Sequence, residues 1–317
     1  MNNDSSHFGK EKVVIAIIDS GVSSDLNIKA KIKYSCNMSR NRSIEDGHGH
    51  GTALVGMLDE FCDNKVEFLI IKVLDDQCRC TSSTLLRALD IAIEMEPDII
   101  NLSLGTEDLS LRSQFEARWR TALSKDILLV TTTNEDNMSL PFMISGTIGV
   151  KANRALLNDR ELYVDDHSVF HAIGSPHIIP WIKGKYVFIN KNSFAPPYFI
   201  REFVNYKLNN YSSDNYSALV EFMKKCPLIT KLNIKTLNAE MPNDLELYSN
   251  LLTIVRKIIP GFKEERSTFS QGLTMNGCLD ILFSSEIILD HKIPFTHFNL
   301  HDFEYLSNLS NKIQKNV

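Results

Sequence analysis

Four side chains stand where nucleophilic chemistry would need them. Asp19 follows the apolar run Val13 to Ile18 and opens Asp19-Ser20-Gly21. His50 sits in Gly49-His50-Gly51-Thr52, with a helical pattern of small residues directly behind it. Ser193 lies in Asn192-Ser193-Phe194-Ala195-Pro196-Pro197, ahead of a helical stretch from Tyr198 to Tyr206. Asn134 follows Thr132-Thr133 at the end of another apolar run. A serine hydroxyl is a weak nucleophile until a neighbouring base takes its proton. Imidazole is the side chain whose proton affinity suits that task near neutral pH, and a carboxylate can hold it in the correct tautomer. A side-chain amide can donate to the oxyanion that forms when such a serine attacks a carbonyl. Taken singly, each residue has an ordinary explanation: a strand-end turn, a surface or core histidine, a turn asparagine, a helix N-cap. Together, in the order Asp, His, Ser, they make acyl-transfer chemistry the expectation. His48 is a near duplicate of His50, but the Gly-His-Gly-Thr register selects His50.

Such a set works only if buried strands end close together, and the sequence supplies those strands. Val13 to Ile18, Val66 to Leu74, Asp98 to Leu104 and Ile127 to Thr132 are apolar runs without alternation. Runs of this kind suit strands covered on both faces. Helical patterns separate them at Gly51 to Cys62, Ser83 to Glu96 and Ser110 to Ser124. Strand alternating with helix predicts an α/β fold, a mostly parallel sheet with helices on both faces. Asp19 then falls at the carboxyl edge of the sheet, where open α/β folds place their sites.

The pattern changes after residue 208. Asn209 to Tyr216 is polar and reads as the start of a linker over 209–242. Residues 243–317 read as a small α-helical domain. Leu245 to Ile259 is amphipathic and stops at Pro260-Gly261, and further helices are predicted over Leu279 to Leu289 and His301 to Lys315. The predicted organisation is a catalytic domain over 1–208, the linker and this helical domain.

Composition narrows the function classes. Of 317 residues, 43% are hydrophobic and 23% charged, as in an ordinary globular protein. The net charge of −5 argues against a nucleic-acid footprint. No apolar run approaches the roughly 20 residues of a membrane span, so no membrane partner is expected. Met1 to His7 lacks the basic and apolar regions of a secretory signal, and a cytoplasmic location is the expectation. Six scattered cysteines agree with that. Cys78-Arg79-Cys80 is read as two reduced thiols, because no second Cys/His pair is spaced to complete a metal site. Neither a metal nor a cofactor is expected.

The motifs resemble those of the subtilisin-like serine proteases. The matching residues are Asp19-Ser20-Gly21, Gly49-His50-Gly51-Thr52, Asn101-Leu102-Ser103-Leu104-Gly105, Asn134 and Ser193-Phe194-Ala195-Pro196-Pro197, with support from Ile71-Lys72-Val73-Leu74 and Leu140-Pro141. The likeness spans about residues 12 to 208. It implies a subtilisin-like fold and a serine endopeptidase with catalytic Asp19, His50 and Ser193. It also implies an oxyanion hole with Asn134, and substrate binding along the backbone of Ser103, Leu104 and Gly105. The implied partner is a peptide or protein substrate, with limited intracellular processing, such as removal of a modified-peptide leader, as the expected role. Two positions depart from the family pattern. Lys191-Asn192 replaces the usual Gly-Thr before the serine, and Thr133 replaces the usual Gly before the asparagine. A catalytically inactive module of the same fold, binding a peptide or carrier partner, therefore stays open as the alternative. Residues 243–317 resemble an acyl carrier protein more faintly. Thr274-Met275-Asn276-Gly277 offers no serine for a prosthetic group, so this region is expected to dock a partner protein and not to carry an acyl chain.

Overall fold

The structure is a computed structural model that describes residues 12–38, 43–133, 139–210, 214–229 and 237–317. The chain divides into two compact units. The first comprises Met1–Gly174, Pro180–Lys185 and Lys191–Leu232, and the second Ser175–Ile179, Tyr186–Asn190 and Asn233–Val317.

The first unit is built on β1 (Val13–Asp19), β2 (Lys31–Asn37), β3 (Val66–Lys72), β4 (Ile99–Leu102), β5 (Leu128–Thr131), β6 (Ile148–Asn153), β7 (Tyr163–Val164) and β8 (Phe170–Ile173). They form one eight-stranded sheet in the order β2-β3-β1-β4-β5-β6-β8-β7. Every neighbouring pair is parallel except the edge hairpin β7–β8. The four apolar runs of the sequence become the central strands β3, β1, β4 and β5. The predicted α/β class holds.

Strand parity decides which helix meets which side chain. Successive residues of a strand point to opposite faces. In β1, Val14, Ala16 and Ile18 join a core with Leu85, Leu89 and Ala92 of α2 (Ser82–Glu94) and with Phe115 and Trp119 of α3 (Arg112–Ser124). Val13, Ile15 and Ile17 face the other side, toward α1 (His50–Cys62). Asp19 shares their parity, so its carboxylate emerges on the side where α1 begins.

Small residues let α1 sit deep, and its first ten residues are all buried. Beside it runs α4 (Pro196–Asn209), which starts with two prolines, the residues best tolerated where helix N–H groups have no partner. The Phe61 and Tyr198 rings meet at 5.1 Å, and the fully buried Arg201 lies over Phe61 while pairing with Asp159 and Glu202. At the opposite edge of the sheet, the buried Lys207 ammonium of α4 lies 3.1 Å from Asp98, whose second oxygen accepts the Val14 N–H.

Residues 209–242, expected to be a linker, contain α5 (Asn215–Lys225). Asp126 accepts the N–H groups of Asn215 and Tyr216, and Phe222 packs on Phe199 and Phe203 of α4. Asn215 and Tyr216 of the polar stretch thus begin a helix packed on α4.

The second unit contains α6 (Leu245–Ile258), α7 (Met275–Leu289) and α8 (Leu306–Gln314). Leu251, Val255, Ile281, Leu282, Phe295, Phe298, Phe303 and Ile313 form its core. Asp244 and Thr274 accept N–H groups at the starts of α6 and α7, which satisfies donors that a helix leaves unpaired. The hairpin strands β9 (His177–Trp181) and β10 (Lys185–Ile189) contribute residues to both units.

Candidate active site

Asp19 ends β1, between β3 and β4, and is 1% exposed. Its backbone carbonyl accepts Val73 N at 2.8 Å and Leu74 N at 3.2 Å, so the strand end is fixed to the segment leaving β3. Carboxylate Oδ1 accepts the Ser20 N–H at 2.8 Å and lies 2.8 Å from His50 Nδ1. Oδ2 is buried and without a hydrogen-bond partner among the described residues.

His50 is the first residue of α1, and its backbone comes from an unusual turn. Gly49 has φ 112°, a left-handed conformation that side chains resist. A Cβ at Gly49 would lie 2.3 Å from Trp181 Cε2, and one at Gly51 would lie 2.3 Å from the Gly21 carbonyl. Glycine on both sides of the histidine is therefore a steric requirement. Gly49 supplies no side-chain cap, yet the N–H groups at the start of α1 need partners. Asp46, 3% exposed, provides two of them and also holds the approach to the helix. Its Oδ1 accepts His48 N and Gly49 N, and its Oδ2 accepts Thr52 N and the Thr52 hydroxyl. Ser20 Oγ accepts Gly51 N at 2.9 Å. Asp19 and Ser20, at the sheet's carboxyl edge, thus hold both the ring and the backbone of the histidine turn. Sequence reasoning missed Asp46. The available signal was an acidic residue just before a glycine-flanked histidine that opens a helix.

Burial disfavours the His50 imidazolium, and the Lys191 ammonium opposes it as well. The Asp19 charge and hydrogen bond, aided by Asp46, outweigh both and hold the imidazole above its ordinary value of 6.5. Near neutral pH such a group can pass between base and conjugate acid.

Ser193 lies in a 3₁₀ turn, Asn192–Phe194, that leads into α4. Phe194 is buried with its ring 5.0 Å from the His50 ring, so the serine turn stands beside the imidazole. Among the described residues no hydrogen bond joins Ser193 to His50. Asn192, which the sequence marked as a departure, uses its side chain inward. Its Oδ1 accepts Ala152 N at 3.0 Å and its Nδ2 donates to the Thr133 carbonyl at 3.3 Å.

Ser103, Leu104 and Gly105 follow β4. The register Ile17↔Asn101 puts Ser103 at the level of Asp19 on the neighbouring strand. Asn101 and Ser103 hydrogen-bond through their side chains, and Thr106 pairs with Leu140 in an antiparallel bridge. Asn134 lies outside the described residues; Thr133 before it is buried. All six cysteines are free thiols. Burial pushes Cys78 up to about 11, which leaves it little thiolate at neutral pH. Among the described residues no group of three His, Cys, Asp or Glu side chains is placed to hold a metal ion.

A buried carboxylate–imidazole pair stands at the carboxyl edge of a mostly parallel sheet, beside a serine turn, as a subtilisin-like α/β fold would require. Comparison with known proteins agrees. Residues 10–155 match the subtilase family, Peptidase_S8. Among curated relatives, the subtilisin-like protease SBT6.1 of Arabidopsis thaliana is 29% identical over 131 residues, which is 39% of this chain and 12% of that protein. The minor extracellular protease Epr of Bacillus subtilis (strain 168) is 27% identical over 154 residues, 45% of this chain and 23% of that one. The chain therefore spans well under two thirds of the length of these relatives. Among solved structures, the nisin leader peptidase NisP from Lactococcus lactis superposes with a TM-score of 0.58 at 16% identity, covering 70% of this chain and 85% of that one. A cold adapted subtilisin-like serine proteinase gives 0.56 at 17%, covering 74% and 88%. Residues 10–155 are thus similar to the subtilase family, and the fold of the chain is subtilisin-like.

Proposed function

We propose that the first unit is a serine endopeptidase. The observation that carries the reading is the 2.8 Å contact between the buried Asp19 carboxylate and His50 Nδ1, with the Ser193 turn beside the imidazole. In this mechanism the Ser193 hydroxyl attacks the scissile carbonyl while His50 Nε2 takes its proton. His50 then gives that proton to the leaving amine, and water repeats the sequence to release the acyl group. Asp19 keeps Nδ1 protonated, so that Nε2 is the free base, and stabilises the imidazolium that forms. Asn134 and the Ser193 backbone N–H donate to the oxyanion, where one donor is worth about 10²–10³ in rate. The substrate backbone lies along Ser103, Leu104 and Gly105 as an added strand.

The substrate class we propose is the leader of a ribosomally made, modified peptide, cleaved at a limited number of bonds inside the cell. The likeness in fold to a protein described as a nisin leader peptidase supports it. The helical unit is assigned to docking a partner protein. An inactive peptide-binding module is the second reading, favoured by the missing hydrogen bond between Ser193 and His50. Labelling with a fluorophosphonate probe separates the two. The peptidase reading expects wild type to label and Ser193→Ala and His50→Ala to lose labelling. A folded wild type that does not label refutes it.

A further inference from the structure

We propose that Asn192 is a positioning residue that straps the nucleophile turn to the ends of β5 and β6. The inference rests on the peptidase reading above and adds a residue to it.

The turn around Ser193 has two sets of hydrogen bonds with different consequences. Phe194 N donates to Lys191 O and Ala195 N to Asn192 O, each at 3.0 Å. These bonds set the shape of the turn and say nothing about where it stands. Asn192 supplies the second set. Its side chain accepts from Ala152 N in β6 and donates to the Thr133 carbonyl just beyond β5. Its own carbonyl receives the Thr132 hydroxyl at 3.0 Å, a proton shared with Val150 O at 2.9 Å. The next residue is Ser193. On the other side of the site, Asp19 ends β1 and holds His50, and β1, β4, β5 and β6 are consecutive neighbours in the sheet. Asn192 therefore ties the nucleophile to the same rigid sheet that holds its base.

The chemistry of the side chain fits this task. A planar carboxamide carries one acceptor and one donor group at fixed separation, and here each meets a backbone group of opposite character. Alanine offers neither. An ionised carboxylate of the same shape keeps the bond from Ala152 but sets an oxygen against the Thr133 carbonyl. Among the described residues no hydrogen bond joins Ser193 to His50, so the contact that proton transfer needs has still to close. A turn free to drift would close it poorly, and a misplacement of about 1 Å can cost about 10²-fold in rate.

The test is the second-order rate of fluorophosphonate labelling for wild type, Asn192→Ala, Asn192→Asp and Ser193→Ala, with thermal unfolding measured for each. Asn192→Ala is expected to label about 10²-fold more slowly while remaining folded. Asn192→Asp keeps the shape if the alanine variant does not fold. Its rate relative to wild type should rise as pH falls toward ~5, because a protonated carboxyl donates to Thr133 again. His50 and Lys191 are the charged groups beside the turn, and the Asn192→Ala ratio, measured in parallel, reads any pH effect they cause without the added carboxyl. The corresponding ratio for Asn192→Ala should be flat with pH. Labelling of both variants within about threefold of wild type, or a flat ratio for Asn192→Asp, overturns the strap and leaves the peptidase reading intact. A folded wild type that does not label overturns both.

Discussion

Replacing Asp19 by Asn tests the carboxylate–imidazole pair with almost no change in shape. The 2.8 Å contact and the 1% exposure of Asp19 place the pair in a dry setting. With charge centres roughly 4 Å apart and an effective dielectric of about 20, the carboxylate stabilises an imidazolium by about 4 kcal/mol. That is about 10³ in rate, since about 1.4 kcal/mol is tenfold. The wrong tautomer adds to the loss, because an amide NH₂ turned toward Nδ1 leaves the proton on Nε2; in serine proteases this substitution costs about 10⁴ overall. The expected labelling rate at Ser193 therefore falls by 10³–10⁴. The pH dependence moves as well. Asp19 is what lifts His50 above 6.5 against burial. Its removal lowers the imidazole pKa and shifts the acid limb of the rate profile to lower pH. The raised pKa also makes a protonated His50 a source of stability. That contribution is complete below about 6.5 and disappears as pH rises through the folded-state value. The gap in melting temperature between wild type and Asp19→Asn should accordingly be widest on the acid side and narrow toward alkaline pH. A variant that labels within about threefold of wild type, with an unmoved acid limb, would refute the reasoning.

Three further outcomes follow from the same geometry. Asp46→Ala strands two or more buried donors at the start of α1 and should destabilise the protein by about 2–4 kcal/mol, read from the shift of the urea midpoint. A change below about 0.5 kcal/mol would show that water replaces the carboxylate. Gly49→Ala sets a methyl group against Trp181 at φ 112°. It should lower the melting temperature and slow labelling at the same time; an unchanged rate would mean that the histidine turn does not depend on this conformation. Lys207→Met leaves the buried Asp98 carboxylate without its cation, and a loss of about 3–5 kcal/mol is expected in denaturant titrations. A neutral result would mean that hydrogen bonds to Asp98 alone suffice.

The sequence by itself determined the central sheet, because continuous β-branched runs have no stable home except between two covering layers. It also determined which residues stand at the carboxyl edge. Parity within Val13–Asp19 is a local property of the chain, and it sends the Asp19 carboxylate to the face opposite Val14, Ala16 and Ile18. The glycines around His50 were legible too, as a demand for close backbone approach. The edge strand β2 was not, since its residues alternate between exposure and partial burial without an apolar run. Nor was the short-stranded region from β6 to β10, where pairing partners and not local pattern fix the strands. The start of α5 reads as linker in the sequence because Asn215 and Tyr216 are polar, and the partner of their N–H groups, Asp126, lies almost ninety positions earlier in the chain. The same limit hid Asp46 and the inward use of Asn192. Their hydrogen-bond partners are backbone groups brought near by the fold, and a backbone N–H or carbonyl has no letter in the sequence. Tertiary structure alone decided which of the chain's polar side chains would meet them.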